Sequence, residues 1–157
     1  MKKAFTMIEL IFVIVIIGIL LTVAIPKLSA TRDDAKVASI ISTTKIIINN
    51  SKAFFTAKGE SEWIDATLFN AINTYLYTDN TCTTLATNTT KVLPDGNNGT
   101  FYICNKRDSI VKLDFNKTHI KISSTNTNTS VSNGVKNSPS FKSIEIAHRL
   151  GGVAVKK

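Results

Sequence analysis

The sequence predicts an α+β fold in which one long N-terminal helix packs on a small antiparallel sheet. Three features carry that prediction. An apolar run opens the chain, an amphipathic stripe with helical spacing continues it, and three short strand-like runs follow residue 99. With 157 residues there is room for one core and one further element, since domains commonly hold ~100 to 150 residues. Apolar residues make up 43% of the chain but crowd into its first quarter, while Ser, Thr and Asn dominate the second half. The two regions are therefore built for different solvents.

The apolar run extends from Phe5 to Ile25, 21 residues interrupted by Thr6, Glu9, Gly18 and Thr22. As a helix it spans about 31 Å, the depth of a bilayer core. Lys2 and Lys3 precede it and Lys27 and Arg32 follow it. The positive charges are nearly balanced over the two flanks, but the two lysines clustered at the chain start are expected to hold the short N-terminal side in the cytoplasm, which makes the remainder extracytoplasmic. A secretory signal peptide fits poorly, because its apolar region is ~7 to 15 residues long and free of charge. No small-x-small cleavage site follows the run either, which ends in Ile25-Pro26-Lys27. A plain anchor leaves Glu9 unexplained. An acidic side chain at bilayer depth costs roughly 2.5 to 3.5 kcal/mol, less near the edge, so this carboxylate needs a partner.

Lys3-Ala4-Phe5-Thr6-Met7-Ile8-Glu9-Leu10, followed by the aliphatic run and Pro26, resembles the class III signal of type IV prepilins and type II secretion pseudopilins. The resemblance covers about the first 30 residues. It implies a type IV pilin-like fold and processing by a prepilin peptidase, which cuts between Ala4 and Phe5 and methylates the new amine of Phe5. It also implies that the Glu9 carboxylate meets the Phe5 amine of a neighbouring subunit. A buried charge satisfied only by a partner gives register to assembly. Two residues depart from the pattern: Ala4 stands where the family has Gly, which predicts slower cutting, and Met7 where it commonly has Leu. The implied layout is a leader at 1–4, a membrane-spanning polymerisation helix at 5–26, its extracytoplasmic continuation at 27–58 and a globular head at 59–157. Pro26 stands where the family bends or melts this helix, and its missing N–H and ring clash give the reason. A helix terminator at the membrane surface is the plainer reading. Gly18 would permit close helix approach.

Beyond Ser29 to Asp34, the residues Val37, Ile40, Ile41, Thr44, Ile47, Ile48, Ser51, Phe54 and Phe55 recur at three- and four-residue spacing and form one stripe. The helix therefore continues past the bilayer, with Lys58-Gly59 as its stop. A second helix is predicted from Ser61 as N-cap, with Trp63, Ile64, Leu68, Ile72, Tyr75 and Leu76 inward. Thr78 to Gly99 reads as a surface loop ending in the turn-forming Pro94-Asp95-Gly96-Asn97-Asn98-Gly99. Thr100 to Cys104, Ile110 to Phe115 and His119 to Ile122 read as an antiparallel meander. Ser123 to Ser138 is too polar to offset its ordering entropy in a core, which predicts an exposed mobile loop. Ser138-Pro139 opens a short helix to Leu150, with strand at Phe141 to Ala147 as the alternative, and Val153 to Val155 is a last strand.

Cys82 and Cys104 are the only cysteines, and in an oxidising compartment such a pair is expected to bridge. Asp95 with Asn97 and Asn98 is oxygen-rich, but one carboxylate without an EF-hand pattern reads as a plain turn rather than a calcium loop, and no cofactor is expected. Asp114-Phe115-Asn116-Lys117-Thr118 fits the extended acidic sequon of some bacterial N-glycosylation systems, which makes Asn116 a candidate glycosylation site; a bare hairpin turn is the alternative. The formal charge is +8, or about +6 without Lys2 and Lys3, which suits acidic partners such as DNA or a solubilising surface. His119 and His148 are the only histidines, and there is no Ser nucleophile elbow, P-loop or metal cluster, so no catalytic residue and no enzyme is expected. The expected function is a structural subunit, a pseudopilin or minor pilin, of an inner-membrane-assembled filament serving type II protein secretion or DNA uptake. Its expected partners are the peptidase, copies of itself, other pilin-like subunits, and an assembly ATPase with its platform protein. The alternatives are the major subunit of an adhesive or motility pilus and a single-pass anchored binding domain that never polymerises.

Overall fold

The computed structural model describes residues 5–151. Eight elements follow one another: α1 (Met7–Asp65), α2 (Leu68–Ala71), β1 (Asn98–Asn105), β2 (Asp108–Asn116), β3 (His119–Ser124), α3 (Ser130–Asn137), α4 (Pro139–Lys142) and β4 (Ala147–Arg149). The chain divides into two compact units, one ending at Ala35 and the other beginning at Lys36. The predicted leader at 1–4 and the predicted strand Val153 to Val155 lie outside the described residues.

In the first unit, α1 is long and apolar enough to cross a membrane. Every large apolar side chain from Phe5 to Leu28 is exposed within the chain itself. Apolar surface in water costs about 25 cal/mol per Å2, so this stretch requires lipid or neighbouring chains around it. Thr22 and Thr31 return their hydroxyls to the helix, donating to the carbonyls of Ile19 at 2.7 Å and Lys27 at 3.0 Å, so neither leaves an unpaired donor. Pro26 lies inside α1, and the helix does not melt there. The interruption comes at Gly59 instead, with φ 84° and ψ 178°, a left-handed conformation that glycine adopts without a Cβ penalty.

In the second unit the stripe behaves as its spacing predicts. Ile40, Ile41, Thr44, Ile47, Ile48 and Ser51 are buried, with Val37, Phe54 and Phe55 packed against the core. The Lys58-Gly59 stop is a break rather than an end, because α1 resumes and runs to Asp65. The predicted second helix is correspondingly reduced to that last turn and the four-residue α2. Its inward residues Trp63, Leu68, Ile72 and Leu76 are buried, whereas Tyr75 is 77% exposed. The Trp63 ring meets Phe54, Phe55 and Phe115 with centroids 6.1 to 6.3 Å apart, and its Nε1–H donates to the Asn116 carbonyl at 3.0 Å. A buried indole needs such an acceptor.

The sheet is an antiparallel meander in the order β1-β2-β3-β4. The three predicted strands appear, each slightly longer than its apolar run. Register places Phe101, Leu113 and Ile122 in one inward row and Phe115 beside Ile120 in another. Thr100, Asp114 and Lys121 form an outward row, as the alternation of a pleated strand requires. Thr78 to Gly99 is a surface loop only in part. Val92 and Leu93 are buried, the Val92 N–H donates to the Ala66 carbonyl at 2.9 Å, and Tyr77 exchanges two backbone hydrogen bonds with Tyr102 of β1.

The largest departure from expectation is the polar tract from Ser123 to Ser138. It holds the end of β3 and all of α3 rather than a mobile loop. The Thr129 side chain caps α3 by accepting from the Ser132 N–H at 3.3 Å, and Val131, Ser132 and Val135 are buried on one side. A Cβ on Gly134 would lie 2.6 Å from a Val37 methyl, so the missing side chain permits the close approach of α3 to α1. The predicted helix to Leu150 stops at Lys142, and the chain turns into β4, which pairs with β3 through His119↔Arg149, Ile120↔His148 and Lys121↔Ala147.

Candidate functional site

The start of α1 is built from Phe5, Thr6 and Glu9. The Thr6 backbone N–H and hydroxyl both donate to Glu9 Oε2, at 2.9 and 2.7 Å, and the Glu9 N–H donates to the Thr6 hydroxyl at 3.4 Å. This is a reciprocal capping box: each side chain satisfies a donor that the first helical turn leaves open. Sequence reasoning passed over Thr6 as a member of the site; the spacing Thr-x-x-Glu is the signal that could have found it. Phe5, Ile8, Glu9, Phe12 and Val13 line one open face of this helix start, which is apolar apart from the carboxylate. Phe5 is 84% exposed. Ala4, on the other side of the predicted cut, lies outside the described residues.

Within an apolar medium this geometry has one chemical consequence. Thr6 supplies neutral donors to Glu9 but no compensating charge, so the carboxylate still favours a cation within reach. Cutting before Phe5 would create an ammonium one residue from Thr6.

The remaining expected site residues are scattered over the second unit. Cys82 and Cys104 form a disulfide, with Cα atoms 6.1 Å apart. Asp95 caps its own turn, its Oδ1 accepting from the N–H groups of Asn97 and Asn98 at 2.8 and 2.5 Å, and these donors hold its carboxyl below the usual aspartate range. No group of three or more His, Cys, Asp or Glu gathers among the described residues. Asp79, which sequence reasoning passed over, organises the disulfide loop. Its carboxylate accepts from the Thr81 hydroxyl at 2.5 Å, the Thr83 N–H at 3.1 Å and the Thr84 N–H at 2.6 Å, and these bonds push its pKa far below the ordinary value. His119 meets the Thr118 hydroxyl through Nδ1 at 2.7 Å, and His148 meets the Ile144 carbonyl through Nε2 at 2.9 Å.

Residues 1–25 match the prokaryotic N-terminal methylation motif, the prepilin-type cleavage and methylation signal of type IV pilin-like proteins. No curated protein and no solved structure matches the chain. The long N-terminal helix followed by a four-stranded antiparallel sheet is consistent with the α+β pilin-like fold. Together they support a type IV pilin-like subunit. The signal implies processing by a peptidase and assembly with other pilin subunits, and with the apolar helix it points to membrane anchoring.

Proposed function

We propose that this chain is a structural subunit, a pseudopilin or minor pilin, of a filament assembled from the inner membrane for type II protein secretion or DNA uptake. The carrying observation is Glu9, an acid inside an otherwise apolar membrane-length helix, four residues after the predicted cleavage point. Before assembly, Thr6 caps it; on assembly, the methylated amine of Phe5 on a neighbouring subunit supplies the missing positive charge. The exchange of an unpaired intramembrane charge for a paired one favours stacking in a single register. The apolar surface of α1 forms the filament interior, and the second unit covers its exterior, with the N-terminus starting on the cytoplasmic side. The work is mechanical rather than catalytic, driven by a cytoplasmic ATPase acting through a membrane platform protein.

Intact mass and N-terminal sequencing of the native membrane protein test this reading, with and without the host's prepilin peptidase. A chain beginning at N-methylated Phe5 only when the peptidase is present is the expected result. An uncut leader in both strains would leave an ordinary anchored domain as the better account. Glu9→Leu separates the two further, since a non-polymerising anchor tolerates it and a filament subunit does not.

A further inference from the structure

We infer that Asn116 is a glycosylation acceptor, modified on its side-chain amide by an oligosaccharide delivered from a polyprenyl-diphosphate donor. Asn116 closes β2 at the tip of the β2–β3 hairpin, and it and Thr118 are both exposed. Its carbonyl is fixed to the core by Trp63 Nε1 at 3.0 Å. Its side-chain Oδ1 accepts the N–H groups of Thr118 at 3.0 Å and His119 at 2.6 Å. With the oxygen committed to these two donors, the amide nitrogen makes no hydrogen bond among the described residues. The N-x-S/T acceptor triplet is thus already folded into an Asx turn, the Thr118 N–H donating to the Asn116 side chain. Asp114 precedes Asn116 by two residues and so lies on the same outward face of the strand, beside Thr100 at 2.7 Å and Lys112 at 2.9 Å.

Four other N-x-S/T triplets occur in the chain, and none offers this combination. Asn49 sits within α1 and its Ser51 is fully buried. Asn98 precedes Gly99, where backbone approaches backbone too closely for a Cβ. Asn128 leads directly into α3, and the Thr129 and Ser130 of its triplet are the N-cap and first residue of that helix. Asn88 lies in a turn tied together by the hydroxyls of Thr87, Thr89 and Thr90. None of the four has an acidic residue two positions earlier.

In the transfer, a bond forms between Asn116 Nδ2 and the anomeric carbon of the first sugar. The bond from that carbon to the diphosphate oxygen breaks, the lipid diphosphate leaves, and Nδ2 loses one proton to a base of the transferase. Reaction outside the cytosol rests on the orientation proposed above, and the test reads that orientation separately.

The experiment is intact-mass and peptide mass spectrometry of the full chain from its native membrane, as wild type, Thr118→Ala and Asp114→Ala, with the oxidation state of Cys82 and Cys104 and the N-terminal residue read in the same samples. Thr118→Ala keeps the backbone N–H that Asn116 accepts, so it removes the acceptor motif without removing the turn. The expected result is an oligosaccharide adduct on the Asn116 peptide of the wild type, absent in Thr118→Ala and reduced in Asp114→Ala. An oxidised disulfide and a mature Phe5 terminus with unmodified Asn116 overturns the inference and leaves the filament reading intact. An adduct that survives Thr118→Ala also overturns it. Reduced cysteines with an uncut leader remove the extracytoplasmic location and the inference with it.

Discussion

Replacing Cys82 and Cys104 by Ser should lower the stability of the second unit by about 3 kcal/mol, the chain-entropy value for cross-linking positions 22 residues apart. Two observations locate the damage. Cys82 is buried and has φ 58°, a left-handed conformation unfavourable for any residue with a Cβ. The loop around it contributes few core side chains and is held by the Asp79 bonds and by the bridges from Tyr77 to Leu85 and Tyr102. The loop should therefore open before α1 or the sheet does. The assay is thermal and urea unfolding of the detergent-solubilised chain by far-UV circular dichroism, paired with amide hydrogen exchange. A fall in Tm of roughly 10 °C is expected for a unit of this size. Exchange protection should disappear across residues 78–88 while β2 and β3 remain slow. An unchanged Tm, or loss of protection spread evenly over the sheet, would show that the loop does not depend on the cross-link.

Ser51 is fully buried, and its hydroxyl has no hydrogen-bond partner among the described residues; Ser51→Ala should stabilise the chain by about 1 kcal/mol, read as a rise in urea midpoint at constant slope. Gly99→Ala should cost at least ~2 kcal/mol, because the added Cβ would lie 1.9 Å from the Val92 carbonyl oxygen and force apart two backbone segments; a midpoint within error of wild type would contradict that packing. Asp79 has a pKa lowered in the folded chain, so its contribution is complete above the unfolded aspartate value near ~3.9 and is lost as pH falls through the folded value. Asp79→Asn should accordingly be less stable than wild type at pH 7 and converge with it as the medium is acidified, a trend visible in paired thermal melts between neutral and strongly acidic pH.

Glu9 and the stripe from Val37 to Phe55 were legible because each is a local pattern with one physical meaning. A carboxylate in an apolar run needs a partner, and apolar residues at helical spacing need a surface to cover. The strands were legible for the same reason, since alternation in β1 to β3 survives into the inward rows of Phe101, Leu113 and Ile122. Thr6 was missed although Thr-x-x-Glu marks it, because the pattern is short and the apolar run around it dominates any reading of composition.

What the sequence determined by itself was the membrane-length helix, its acidic residue, the cleavage signal and the existence of a meander, all of them encoded within a few neighbouring residues. Tertiary structure alone decided that a Ser/Thr/Asn tract forms α3. Only Val131, Ser132 and Val135 are buried there, and their burial outweighs the tract's polarity because Gly134 lets the helix dock on Val37. It also decided that helix resumes beyond Gly59 to carry Trp63 into the core, and that the Asn116 carbonyl receives the indole N–H from 53 residues away. Such contacts depend on which surfaces meet once the chain has collapsed, and a buried donor finds its acceptor by position in space rather than by position in sequence.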